Sequence, residues 1–156
     1  MSTTKQKSAS PAHNLANFTF AQPITMRWSD IDRLGHVNNA VYFTYLEQAR
    51  IDYLRAVCQW PWHTHGLVLA HIEMDYLVPV LETDQPVAYI RCTRLGSKSF
   101  TIENTIAGPR PEVEEPVVFA VAQTVLVVVN PDGIGTQPIP KAQREAFIAY
   151  EKVKPV

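Results

Sequence analysis

The sequence is poor in the features that mark several protein classes. Among 156 residues there are two cysteines, Cys58 and Cys92, and they form no short metal-ligand spacing. One disulfide is possible on count alone; two reduced thiols, one near a helix end and one in a strand, are the expectation. Charge of neither sign is in excess: 14 Lys and Arg face 15 Asp and Glu, a net charge of −1. That balance gives no field for a nucleic-acid backbone, and the one basic cluster, Arg91, Arg94 and Lys98, suffices for a few phosphates at most. No apolar run is long enough for a membrane helix. The opening "MSTTKQKSASPAHNLAN" has no hydrophobic stretch of signal-peptide type. It reads as a flexible, slightly basic tail over residues 1–17, and a cytosolic protein is expected. Glycine is scarce, and no glycine-rich phosphate loop or repeated strand–helix unit points to a doubly wound nucleotide-binding fold.

What is present alternates between two periods. In "FTFAQPITMRW", Ile24, Met26 and Trp28 share one parity, which predicts a half-buried strand with Pro23 at its start or on a sheet edge. In "NAVYFTYLEQARIDYLRAVCQW", Tyr42, Leu46, Ala49, Tyr53 and Val57 recur at helical spacing, widened by Phe43 and Leu54. This is the one long helix, ended by Pro61. In "LVLAHIEMDYLVPV", strict alternation puts Val68, Ala70, Ile72, Met74 and Tyr76 on one side, and His71, Glu73 and Asp75 with Leu67 and Leu69 on the other. "PVAYIRCTRL" and "SFTIENTIA" are two more strands around a turn at "GSK". "VVFAVAQTVLVVVN" is apolar on both faces and should lie centrally in the sheet. "PIPKAQREAFIAYEKV" is a short terminal helix facing inward with Ala142, Ala146, Phe147 and Tyr150. One long helix against one antiparallel sheet is an α+β architecture. One helix covers such a sheet poorly, so pairing with a second subunit is expected.

The polar stretch "SDIDRLGHVNNAVYF" sits at the foot of that helix. Asn38 or Asn39 is a natural N-cap. The first turn of a helix leaves amide protons free for a carbonyl oxygen gaining negative charge. Gly35 permits a tight turn that returns the Asp32 carboxylate towards that helix end. A carboxylate beside an oxyanion site fits hydrolysis of an activated acyl group. Each residue also has a plain structural use: Asp32 as an Asx-turn residue, Asp30 as a cap or surface ion pair, His36 as a loop closure. His63, His65 and His71 follow no defined zinc spacing, and no metal is expected. Glu73 and Asp75 fit a solvated strand face or an interface pair better than an acid–base couple.

"RWSDIDRLGHVNNAVYFTYLEQARIDYL" resembles the opening of hotdog-fold acyl-CoA thioesterases of the 4-hydroxybenzoyl-CoA thioesterase-like branch. The "HVNN" form also resembles long-chain acyl-CoA thioesterases of that branch and plant acyl-carrier-protein thioesterases. "HIEMDYLVPV", "RCTRLGSKSFTIENTI" and the valine-rich strand follow in the family's order, so the resemblance runs from Ile24 to Tyr150. It implies a hotdog domain over residues 18–156, a curved antiparallel sheet of about five strands wrapped round one helix. It further implies homodimers or homotetramers with active sites at the dimer interface, and no cofactor. Asp32 matches the catalytic carboxylate, Gly35 the loop glycine, and the backbone amide of Asn39 the donor that polarises the thioester carbonyl. By the same resemblance His36 and Asn38 are expected to shape the loop and orient water or the acyl group, and Asp30 to take a structural role. The segment Arg91, Arg94, Gly96, Lys98 and Ser99 would meet the pantetheine arm or nucleotide phosphates. Tyr42, Phe43 and Leu46, with Trp60 and Trp62 nearby, line an acyl pocket or belong to plain core. The chain departs from the benzoyl-CoA enzyme in having Arg33 after the aspartate and "HVNN" in place of an aromatic, apolar segment, so an aromatic substrate is not implied. The expected function is hydrolysis of an acyl-CoA to a free acid and coenzyme A. The rivals are a non-catalytic acyl-CoA binding module and a thioesterase acting on acyl carrier protein.

Overall fold

The most apolar segment becomes an interior strand, one place in from an edge of the sheet. In the computed structural model, which describes residues 14–156, the elements are β1 (Phe20–Pro23), α1 (Asn39–Cys58), β2 (Gly66–Tyr76), β3 (Val87–Leu95), β4 (Ser99–Gly108), β5 (Val117–Val129) and α2 (Lys141–Tyr150). The five strands form one antiparallel sheet in the order β1-β3-β4-β5-β2. β5 is thus enclosed by β4 and β2, while β1, which carries Pro23, and β2 are the edges. The expected tail lies mostly outside the described residues; Leu15–Asn17 form one 3-10 turn capped by Asn14.

Helix α1 lies on one face of this sheet. Asn38 caps it, its Oδ1 accepting the Ala40 N–H at 2.9 Å. Gln59, in the left-handed conformation (φ 45°), ends it two residues before Pro61 bars continuation. The helical stripe buries Tyr42, Tyr45, Leu46, Ala49, Tyr53 and Leu54. Around the helix start these residues pack with Val37, Val80, Ile106 and Phe119, and around its end with Ile90, Phe100, Leu126 and Phe147 of α2. Phe43 departs from the expected face and is 41% exposed.

Two strands differ from their sequence patterns for identifiable reasons. β1 stops at Pro23, and although Ile24 and Met26 still pack on the core, Trp28 lies in a 3-10 turn and is 89% exposed. The Asp30 carboxylate accepts the Arg27 N–H at 2.8 Å and turns the chain away from the sheet. In β2 the register passes from Leu69 opposite Leu126 to His71 opposite Val125, leaving Ala70 as a bulge. That one extra residue reverses the parity. Leu67 and Leu69 therefore share the helix-facing side with Ile72, Met74 and Tyr76, and Val68 joins His71, Glu73 and Asp75 on the other.

β1 pairs with β3 only as far as Ile90, so the next edge amide of β3 needs another acceptor. Glu151, just past α2, supplies it: its Oε1 accepts the Cys92 N–H at 2.9 Å and the Tyr53 hydroxyl proton. Glu151 is buried, and its Oε2 meets no donor among the described residues. Burial raises its pKa above the ordinary 4.5, against the opposing pull of Tyr53 and Cys92. A carboxyl whose pKa is raised on folding binds its proton more tightly in the folded state. Its contribution is therefore complete below 4.5 and is lost as pH rises through the raised value. Thermal melts across this window should show that decline in the native protein and its absence in Glu151→Gln; parallel profiles would refute the prediction.

Candidate active site

The stretch between Trp28 and α1 folds as a tight hairpin. Ile31 and Val37 form a bridge, Asp32 N–H donates to His36 O at 2.8 Å, and Gly35 N–H donates to Asp32 O at 3.0 Å. Gly35 holds φ +81°, the left-handed region this turn requires. The Asx turn read from the sequence is present, with Asp32 Oδ1 accepting the Leu34 N–H at 2.8 Å. That bond occupies one carboxylate oxygen and orients the other. Among the described residues Oδ2 meets no donor, and the Asp32 side chain is 29% exposed. His36 Nδ1 stands 3.8 Å from Oδ1.

The hairpin leads straight into the helix start. Asn38 N–H donates to Asp30 O at 2.9 Å, and its carbonyl accepts the Val41 N–H at 2.9 Å. With Ala40 N–H taken by the Asn38 side chain, the N–H of Asn39, first in the helix, meets no acceptor among the described residues. Tyr76 at the end of β2 donates its hydroxyl to Asn39 O at 3.0 Å. Asp30 is buried, and its carboxylate accepts the Tyr45 hydroxyl at 2.7 Å, Arg27 N–H, and Arg27 Nε at 3.1 Å. Burial alone would raise its pKa; the bonds from Tyr45 and Arg27 outweigh that and hold it below the ordinary value. Asp30 is thus a fully engaged structural carboxylate, and Asp32 a half-engaged, accessible one.

The remaining candidates scatter. Tyr42 is buried core; its hydroxyl accepts the Val80 N–H at 3.2 Å and its ring meets Tyr76 edge-on at 5.1 Å. Leu46 and Trp60 are core as well, whereas Phe43 and Trp62 are exposed. Arg91 is paired with Glu103 (Nε to Oε2, 2.6 Å), and Lys98 donates to Thr136 Oγ1 at 3.1 Å. Arg94 is exposed and Ser99 half-buried. Lys98 and Ser99 lie at the opposite end of the sheet from Ile106, which packs with Val37 under the hairpin. At a rise of about 3.3 Å per residue that is about 25 Å, so within one chain Lys98 and Ser99 do not meet Asp32. Cys58 and Cys92 are free and buried, and burial pushes both thiols up to about 12, far from nucleophilic. His71 Nε2 lies 3.8 Å from Glu73 Oε2 on β2. Asp84 and Arg110, which the sequence does not single out, form an ion pair whose carboxylate is buried and whose guanidinium is half-buried. Their only signal was a charged residue in each of two proline-flanked loops.

A five-stranded antiparallel sheet wrapped on one central helix, with a polar hairpin at the helix start, is the hotdog arrangement. A model of the thioesterase-like superfamily matches residues 26–147, and the chain belongs to that superfamily. A thioesterase from Thermus thermophilus, solved with coenzyme A and Zn, is 33% identical, the match covering 86% of this chain and 96% of that one with a TM-score of 0.73. A 4-hydroxybenzoyl CoA thioesterase variant complexed with 4-hydroxybenzoyl CoA is 16% identical, with 82% and 97% covered and a TM-score of 0.73, and shares the fold. The uncharacterised protein YsmA of Bacillus subtilis (strain 168) is 30% identical over 87 residues, 55% of this chain and 59% of that protein. No helix among the described residues is long and apolar enough to cross a membrane.

Proposed function

We propose that this chain hydrolyses an acyl-CoA thioester to a free carboxylic acid and coenzyme A. The observation that carries this reading is a carboxylate with one oxygen anchored and one free, on a hairpin leading into a helix whose first amide is unpartnered among the described residues. The thioester carbonyl oxygen accepts the Asn39 N–H, which stabilises the negative charge that builds as the carbonyl carbon turns tetrahedral. Asp32 Oδ2 either takes a proton from the attacking water or attacks the carbon itself, giving a mixed anhydride that water then opens. In both routes the C–S bond breaks and the electron pair leaves on the coenzyme A sulfur. Thiolate is a good leaving group, so the chemistry does not depend on a strong general acid beside Asp32. The coenzyme A bound by the Thermus relative supports the choice of carrier.

The test is thiol release from short, medium, long and aromatic acyl-CoAs and from an acylated carrier protein. Release from one acyl-CoA class supports the reading. Preference for the carrier-protein thioester moves the substrate, and binding without release leaves a binding module.

The chain acts as a homodimer or homotetramer in this reading. β2 is a long edge strand with Val68, Leu69, Tyr76 and the adjoining Leu77 exposed. Such an edge and patch call for a covering surface, and sheet pairing through β2 supplies one. Light scattering should give a dimer or tetramer mass, reduced to the monomer by Leu69→Lys. A native monomer at all concentrations would sink the assembly.

A further inference from the structure

The Asp32 hairpin rests on the segment that follows β2. Val37 N–H donates to Val80 O at 2.9 Å, and His36 forms an antiparallel bridge with Leu81. Val80 N–H donates in turn to the Tyr42 hydroxyl, which ties the segment to α1. Two residues far apart in the chain hold that segment in shape. Asp84 Oδ2 accepts the Leu81 N–H at 2.7 Å. Arg110 donates Nε to Asp84 Oδ1 at 2.8 Å, Nη2 to Asp84 Oδ2 at 2.6 Å, and Nη2 again to Pro79 O at 2.7 Å. One guanidinium therefore grips both ends of the turn Pro79–Asp84, and the hairpin hangs on Val80 and Leu81 between them.

The pair is built for geometry. The Asp84 side chain is 0% exposed and that of Arg110 20%, with the guanidinium 5.3 Å above the Phe119 ring. A buried ion pair adds little net stability over apolar residues of the same volume. A fork-to-fork pair does fix direction and distance at two bonds at once. At its base the hairpin is also tied to α1, where the Asp30 carboxylate accepts the Tyr45 hydroxyl at 2.7 Å; the turn Pro79–Asp84 holds its other side, at His36 and Val37.

We infer that Asp84 and Arg110 are positioning residues for Asp32: through the turn Pro79–Asp84 they set where the Asp32 carboxylate stands relative to the start of α1. The inference rests on the catalytic reading of Asp32. Displacing a reacting group by about 1 Å costs on the order of 10²-fold in rate, and that is the loss expected in kcat for Arg110→Gln, with KM within about threefold. Asp84→Asn keeps the shape of the carboxylate and an acceptor for Leu81, so it tests the inference even if Arg110→Gln fails to fold, and its loss should be smaller.

The deciding experiment is steady-state thiol release by both variants, each made also in an Asp32→Asn background, with amide hydrogen exchange at Asp32 and Val37 in the same proteins. In the native background kcat should fall. In the Asp32→Asn background there should be no further fall, because the positioned group is already gone. Native kcat in both variants, or an equal fractional loss in both backgrounds, overturns the inference. No thiol release by the native protein overturns the proposed function instead. Exchange then decides the positioning role: faster exchange at Asp32 and Val37 with α1 unchanged supports it, and unchanged exchange there refutes it.

Discussion

Asp32→Asn should release thiol about 10²- to 10⁴-fold more slowly than the native protein, the range general-base and nucleophilic carboxylates span, while keeping native stability. The substitution suits the local structure. Asparagine retains a side-chain oxygen to accept the Leu34 N–H, so the Asx turn survives. The hairpin's backbone bonds, Asp32 N–H to His36 O and Gly35 N–H to Asp32 O, do not involve the side chain. What disappears is the negative charge and basicity of Oδ2. The loss should fall on kcat, with KM little changed, because in the proposed reaction the free oxygen meets the reacting atoms and not the body of the substrate. Turnover within a few-fold of native would remove Asp32 from the chemistry and leave the Asx turn as its whole role. A variant that binds acyl-CoA as the native protein does and hardly releases thiol would establish it.

Gly108→Ala should be the most damaging glycine-to-alanine change in the chain. Its Cβ would stand 2.1 Å from the backbone oxygen of Gln85 and 3.1 Å from the Gln85 carbonyl carbon. Backbone cannot swing aside as a side-chain tip can. Gly108 is pinned from both directions, paired with Val117 in the sheet and followed by Pro109, whose carbonyl accepts the Gln85 N–H at 3.1 Å. Relief requires the two chain segments to part, and the expected cost is about 3 kcal/mol, at the upper end for an overpacked site. The same parting would disturb Asp84, adjacent to Gln85, and Arg110, two residues beyond Gly108. Urea unfolding measures the loss; a midpoint shift equivalent to less than about 0.5 kcal/mol would show that the segments separate at little cost. Gly35 makes the contrast, since a Cβ there meets nothing within 4 Å and its only requirement is the positive φ.

The helix over Asn39–Cys58, its asparagine cap, the inward stripe of Tyr42, Leu46, Ala49 and Tyr53, and the strands of "PVAYIRCTRL" and "SFTIENTIA" were all legible in the residues. So were the Gly35 turn and the Asx geometry of Asp32. Each depends on hydrogen bonds or periodicity spanning a few residues, so local sequence contains the whole cause. The side of β2 that faces the helix was not legible, because Ala70 slips out of register only against β5, and one slipped residue exchanges the two faces. Nor was the fate of Trp28, which lies in the 3-10 turn closed by the Asp30 carboxylate on the Arg27 N–H, a carboxylate held in place by Tyr45 of the helix. By itself the sequence determined the helix, the strands and the hairpin that presents Asp32. Only the tertiary structure decided what holds them: Glu151 on Cys92 and Tyr53, and Arg110 on Asp84 and Pro79. These are bonds between polar groups far apart in the chain. Their partners are chosen by the order in which strands lie side by side, which no local pattern encodes.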